Sequence, residues 1–300
     1  MEKIFALGDI NSQELLILAA EIFIAILLLA LMRYLYGLSM GVSTKEQLAK
    51  VDNFAFGISM AGSIGGLGIV LTGAITPNLN GGVGRELVNM FSYGLLGLLL
   101  LYIGRFVHDR WALHLVDKRQ QIAKKNITMG IIDASSVIAS AIIIREMLLW
   151  VDGLNAFAII AMISAFAVAQ TLLTIVTRIR ERHYAKHNQL DSLQEALVDG
   201  QIALSLRYSG QVISTALAVT AASYFLDYHP DTIVENLIGW LVFGFLMTLV
   251  MWVLTSIAKR IILRGIDLET EVDHQHNIGV ASIEMAISIG IALMLTTLLA

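Results

Sequence analysis

Eight stretches of about 20 or more largely apolar residues run through the 300-residue chain, and they restrict its fold more than any other feature. They lie near 14–35, 54–76, 84–107, 127–149, 155–177, 202–226, 232–258 and 278–300. A helical residue rises about 1.5 Å and the hydrocarbon layer is about 30 Å thick, so each stretch is long enough to cross a bilayer. A chain that is 57% hydrophobic and only 15% charged, with a mean hydropathy of +0.74, is not an ordinary soluble enzyme. The expected fold class is therefore an all-α membrane protein of eight transmembrane helices.

The connections alternate in length. Short turns such as TPNLNGGV, WVDGL and DYHPD follow the even stretches, and longer loops rich in Lys and Arg follow the odd ones. The long loops and their flanks hold all of the 20 basic residues except Lys3, Arg85, Arg145 and Arg207. The positive-inside rule then places the long loops in the cytoplasm and both termini outside. Glu2 and Asp9 against the single Lys3 make a poor signal-peptide n-region, so the first stretch is expected to remain as a span. Pro77 and Pro230 fall in outer turns, where a missing N–H is harmless.

Each long loop leads into a similar segment: VDNFAFGISMAGSI, KKNITMGIIDASSV, DGQIALSLRYSGQV and QHNIGVASIEMAIS. Aligned on the amides Asn53, Asn126, Gln201 and Asn277, the segments carry small residues two, four and nine positions on. Among them are Gly57, Gly130, Gly62 and Gly210. Recurrence in four places implies four parallel repeats of two helices each, related about an axis along the membrane normal. Pro77 and Pro230 follow the first and third repeats, while Asp133 and Glu284 occupy one position in the second and fourth. The chain thus reads as two pseudo-equivalent halves, 1–150 and 151–300, each of two helical-hairpin repeats.

An Asn anchor, an alternating small and apolar run, a small residue nine positions on, a charged loop before it and tandem two-helix units resemble the bacterial domain-of-unknown-function family 350, the YjfL-like inner-membrane proteins. The resemblance covers essentially the whole chain. It implies a multi-pass protein of the bacterial inner membrane, with no settled activity and no catalytic residues to carry over. Gln201 departs from the Asn anchor of the other three repeats.

Asp133 and Glu284 are the sharpest functional candidates. Seven residues past the anchor is about 10 Å into a helix, too deep for a short carboxylate to reach headgroups. Each must face the bundle interior, carry a proton or meet a partner, and Arg207 is the nearest cation by repeat position. Either an interior hydrogen bond to Ser or Thr or an ion or proton relay would suit them. Glu21 is a third buried carboxylate candidate, with an interhelical hydrogen bond as its plainer role. Gly57 with Ala61, and Gly62 with Gly66, have the four-residue spacing that lets helices approach; packing and a glycine-lined path both remain open. Arg85 with Glu86 and Arg145 with Glu146 mark an outer rim that could cross-pair, snorkel or select ions.

His183 with His187, and His274 with His276, fall short of a complete metal site, and neither a metal nor a cofactor is expected. HExxH, GxSxG, the P-loop and GxGxxG are absent, the chain has no Cys, and no enzyme activity is expected. A net charge of only -4 gives no reason to expect a nucleic-acid partner. Loops such as DSLQEALVDG and WALHLVDKRQQIAKK are expected to form short helices on the inner leaflet, where Lys and Arg meet anionic lipid. Two functions remain: translocation of a small ion or solute along a path lined by Asp133 and Glu284, or a membrane scaffold or stress-response component. The second would recruit a peripheral protein or anionic lipid through its basic loops.

Overall fold

A computed structural model describes residues 12–75, 83–151, 153, 155–189 and 191–300, with side chains from Leu15 onward. Among these residues the chain is helical and contains no strand. Seven helical segments are long and apolar enough to cross a membrane: Leu15–Met40, Phe54–Ala74, Val83–Ala112, Ile127–Trp150, Ala156–His187, Pro230–Ile262 and Ile278–Leu299. The expected turn at Pro77 and the N-terminal residues 1–11 lie outside the described residues.

The long helices are α1 (Ser12–Met40), α3 (Phe54–Ala74), α4 (Val83–Val107), α6 (Ile127–Trp150), α7 (Ala156–His187), α9 (Ile202–Thr220), α10 (Ile233–Ile262) and α11 (Ile278–Leu299). The short helices α2 (Thr44–Ala49), α5 (Lys118–Ala123) and α8 (Leu193–Val198) sit in the loops before α3, α6 and α9. A π-helical turn, Glu269–His274, holds the equivalent place before α11.

The stretch expected at 202–226 is the one that is not apolar enough to count as a span. Its α-helix ends at Thr220 and a tight 3-10 turn, Ala221–Phe225, completes it. Thr220 and Ser223 bond back to the carbonyls of Leu217 and Thr220, which favours the tighter turn. Arg207, Gln211 and a series of hydroxyl residues lower its apolar character, yet most of the helix is buried in protein. Other boundaries move outward. α7 continues ten residues beyond the expected Thr177, through a stretch of Arg, Glu, Ala and Lys that favours helix. His183 and His187 therefore lie on this helix, with ring centroids 4.2 Å apart.

Four helices form the middle of the protein, in the order α3, α6, α9, α11, each packed on the next. Small residues permit the close approach. A Cβ on Gly130 would lie 2.5 Å from the Ala55 carbonyl oxygen, and one on Gly62 would overlap Ala134. At the other end of the row, a Cβ on Gly210 would stand 2.6 Å from Cα of Met285. Gly62 and Gly210 occupy the same position relative to Asn53 and Gln201, and Ala134 and Met285 the same position relative to Asn126 and Asn277. Gly66 abuts Val137 and Ala141. Gly57 lies on a different face, 3.5 Å from Leu48 of α2, and makes no tight helix crossing.

The flanking helices α1 and α10 turn their large side chains outward. Phe23, Ile26, Phe245, Trp252 and Ile261 are all exposed. Such belts would be insoluble in water, and they are compatible with a multi-pass membrane protein whose outer surface meets lipid tails.

Three of the four aligned amides are helix caps. Asn53, Asn126 and Asn277 each hold an extended backbone, and each Oδ1 accepts the N–H of the third helical residue, namely Phe56, Met129 and Val280. The preceding residue is left-handed at all four positions: Asp52, Lys125, Gly200 and His276 have φ of 49°, 65°, 88° and 56°. Asn53 also donates from Nδ2 to the Ile122 carbonyl at 3.0 Å, and Asn126 to that of Val198 at 2.8 Å. A single amide thus starts its own helix and ties it to the loop helix of the next segment. Gln201, longer by one methylene, makes no cap, and its Oε1 is buried without a partner.

The loop helices differ from expectation in one respect. They form, with Ser43, Asp117 and Ser192 as caps. However, α5 and α8 bury Lys118, Ile122, Leu193, Gln194 and Leu197 in the protein, so much of their surface is committed to the bundle instead of the leaflet.

Candidate functional site: two buried charge networks

Asp133 and Glu284 are only 3% and 5% exposed. Burial on this scale requires charge partners and hydrogen bonds, because an isolated carboxylate in a low dielectric is very costly. Both have them.

Asp133, on α6, accepts from Arg105 Nη2 at 2.9 Å, from Lys118 Nζ at 3.0 Å and from the Ser59 hydroxyl. Arg105 comes from the end of α4, where it also bonds Ser63 at 2.6 Å and stands 5.0 Å over the Tyr36 ring. Tyr36 in turn donates to Ser59 at 2.7 Å, so α1, α3, α4, α5 and α6 all meet around one carboxylate. Lys118 also pairs with Asp109, on the π-helical turn that follows α4. Two carboxylates, Asp133 and Asp109, thus balance two cations. Lys118 lies outside the spans: burial would weaken its charge, but Asp109 and Asp133 reverse this and hold the ammonium above the ordinary lysine range.

Glu284, on α11, accepts from Arg207 Nε at 2.6 Å and from Lys259 Nζ at 2.7 Å. Arg207 additionally pairs with Asp273 and donates to the Leu268 carbonyl at 2.7 Å. The expected partner of Glu284 is therefore present, and it is held inside instead of snorkelling. For Asp133 the cations are Arg105 and Lys118, which the sequence reading had assigned to the basic cytoplasmic flanks. Asp273 lies in the loop before α11, where burial pushes its carboxyl above the ordinary range despite Arg207 beside it.

Ser59 and Arg207 stand at the same position, six residues past Asn53 and Gln201, and each reaches the carboxylate of the next segment. One site has a neutral hydroxyl where the other has a guanidinium.

A hydrogen-bonded thread joins the two regions. Lys118 Nζ lies 3.3 Å from His108 Nδ1, and His108 Nε2 lies 2.6 Å from the Tyr208 hydroxyl. An ammonium can only donate, so Nδ1 accepts and the neutral imidazole carries its proton on Nε2, facing Tyr208. Tyr208 is the chain neighbour of Arg207. His108 escaped the sequence reading, although Arg105, His108 and Asp109 have the i, i+3, i+4 spacing of one helical face.

The other candidates are scattered. Glu21 is buried on α1 within electrostatic reach of the buried Glu86 on α4. Arg145 Nε donates to Thr72 at 3.0 Å, Glu146 accepts from Ser223 at 2.6 Å, and Arg85 is exposed. No group of three or more metal-ligating side chains occurs among the described residues. A surface cavity of about 370 Å³ lies between Gln201 and His276 and does not include Asp133 or Glu284.

The sequence profile of the family described as Domain of Unknown Function (DUF350) matches the chain twice, over residues 9–148 and 150–299. No match was found among curated proteins or among solved structures.

Proposed function

The chain belongs to the DUF350 family along nearly its whole length, in two tandem matches, and we propose that it is a multi-pass membrane protein that conducts protons across the membrane by a route that includes a link between its two halves. In this reading α9 is the eighth crossing, sheltered from lipid by its neighbours. The four hairpins are parallel repeats grouped as 1–150 and 151–300. The protein sits in a bacterial inner membrane with both termini outside, and it carries out no covalent chemistry.

The observation that carries this reading is the thread Asp133, Lys118, His108, Tyr208. Each link is a hydrogen bond whose proton can be handed on, and the imidazole within it has one ring nitrogen on each side. The carboxylates are engaged by cations and hydroxyls already, which weighs against a path for metal cations and in favour of proton relay. Purified protein in liposomes should dissipate an imposed pH gradient. His108→Gln and Asp133→Asn should each slow this by about a hundredfold. No dissipation by the unaltered protein, in either gradient direction, would sink the reading.

The scaffold reading has one observation in its favour: a carboxylate satisfied by two cations and a hydroxyl is also what a rigid structural lock requires. It predicts instead that the basic loops bind anionic lipid or a peripheral protein with no flux at all. Topology is a separate question. The chain has no Cys, so single cysteines at His229 and Lys186 should be labelled from outside and inside respectively, and the reverse result would invert every loop.

A further inference from the structure

Arg180 of α7 differs from the other inward-facing cations. Arg105, Lys118, Arg207 and Lys259 each contact at least one carboxylate, but no ion pair joins Arg180 to a carboxylate among the described residues. Its hydrogen bond goes from Nη2 to the Thr215 hydroxyl at 3.1 Å. Its neighbours on the helix are accounted for: Arg178 pairs with Glu181 at 2.5 Å, and Arg182 is exposed.

The depth of this contact matters. Thr215 stands fourteen residues past Gln201, about 20 Å along α9, in a layer about 30 Å thick. A guanidinium reaching that point has turned away from the headgroups. Arg207 and Lys259 are matched by Asp273 and Glu284, so Arg180 stands as a further cation with no carboxylate in contact among the described residues. The surplus is one positive charge, whereas Arg105 and Lys118 are balanced by Asp133 and Asp109. A charge without a counter-ion at this depth is costly, and a small anion would neutralise it.

We propose that Arg180, held by the Thr215 hydroxyl, binds a small monovalent inorganic anion such as chloride. The guanidinium supplies a planar set of N–H donors, of which Thr215 takes one, and Thr215 donates its own proton to the Gln211 carbonyl at 2.7 Å, which fixes the oxygen that orients Arg180. The depth of the site rests on α9 crossing the membrane, but the binding does not require proton conduction. Lipid phosphate is the other source of negative charge, and it is confined to the interface.

The test uses the full-length protein in an uncharged detergent without anionic lipid. Thermal unfolding is followed in sodium chloride, bromide or nitrate against sodium gluconate at equal ionic strength. The small anions should raise the unfolding temperature saturably, and gluconate should not. Arg180→Gln should weaken apparent chloride affinity by at least about tenfold, Thr215→Val by a few-fold, and Arg178→Gln should leave it unchanged. If Arg180→Gln does not fold, Thr215→Val decides alone. Equal unfolding temperatures in chloride and gluconate, or an undiminished chloride response in the altered proteins, would overturn the proposal. Cysteine labelling at His229 reports separately on whether α9 crosses.

Discussion

The two family-matched segments solve the same electrostatic problem with charges drawn from different helices. Around Asp133, five helices supply two cations, a second carboxylate and a hydroxyl that sum to neutrality. Around Glu284, Arg207 of α9 takes the place that Ser59 has in the first segment, and with Lys259 of α10 it faces Glu284 and Asp273, which again sum to neutrality. A buried carboxylate thus specifies how much charge must surround it without specifying from which helix that charge comes. The same difference extends to the caps. Asn53 and Asn126 each close a helix and tie it to the following loop, whereas Gln201 does neither and leaves an oxygen unpaired.

The largest expected effect breaks this comparison directly. Asp133→Ala leaves Arg105 with no carboxylate in contact and Lys118 with Asp109 alone, and should cost about 3–5 kcal/mol of stability, read from unfolding by a denaturing detergent in mixed micelles. Glu284→Ala leaves Lys259 with no carboxylate in contact and Arg207 with Asp273 and a carbonyl, so its cost should be of the same order, about 3–5 kcal/mol. Clearly unequal losses would mean that the two networks differ energetically despite their matching charges.

Packing gives a second contrast. Gly62→Val and Gly210→Val push a side chain into Ala134 and Met285 and should each lose about 1–3 kcal/mol or more. Gly57→Val meets only Leu48 at ordinary contact distance and should stay within about 1 kcal/mol of the native protein. A large effect at Gly57 would point to a contact outside this chain.

The caps provide the smallest and sharpest test. Asn126→Ala removes a cap and the tie to Val198 and should cost about 1 kcal/mol. Gln201→Asn should restore the missing cap and stabilise the second half by up to about 1 kcal/mol. If Gln201→Asn destabilises the protein instead, the glutamine is held for a reason that capping does not explain.

Much of this architecture is legible in the chain. The apolar stretches mark the helices because each must satisfy its own backbone in lipid, and the recurring Asn marks helix starts because a short amide is the right length to reach the third N–H. Asp133 and Glu284 stand seven residues past those caps, and both are buried. Arg207 stands six residues past Gln201, nearly level with Glu284 in the aligned segments, and α9 packs on α11.

Other features are properties of tertiary structure alone. Arg105, Lys118 and Lys259 read as basic flanks, and in sequence they are indistinguishable from cations in water. Only the packing of α4, α5 and α10 shows that they face carboxylates on other helices. The bridge from His108 to Tyr208 joins residues 100 positions apart, and no local pattern encodes a contact between helices from different halves. Which glycines are tight was equally hidden: Gly57 and Gly62 share one helix and the same residue type, but only the crossing angle of α3 on α6 decides which of them meets a neighbour. Local periodicity determines which segments are helices and how deep each residue lies, because both depend on the chain's own geometry. The identity of each buried charge's partner depends on which helices touch, and that is settled by side-chain packing across the whole bundle.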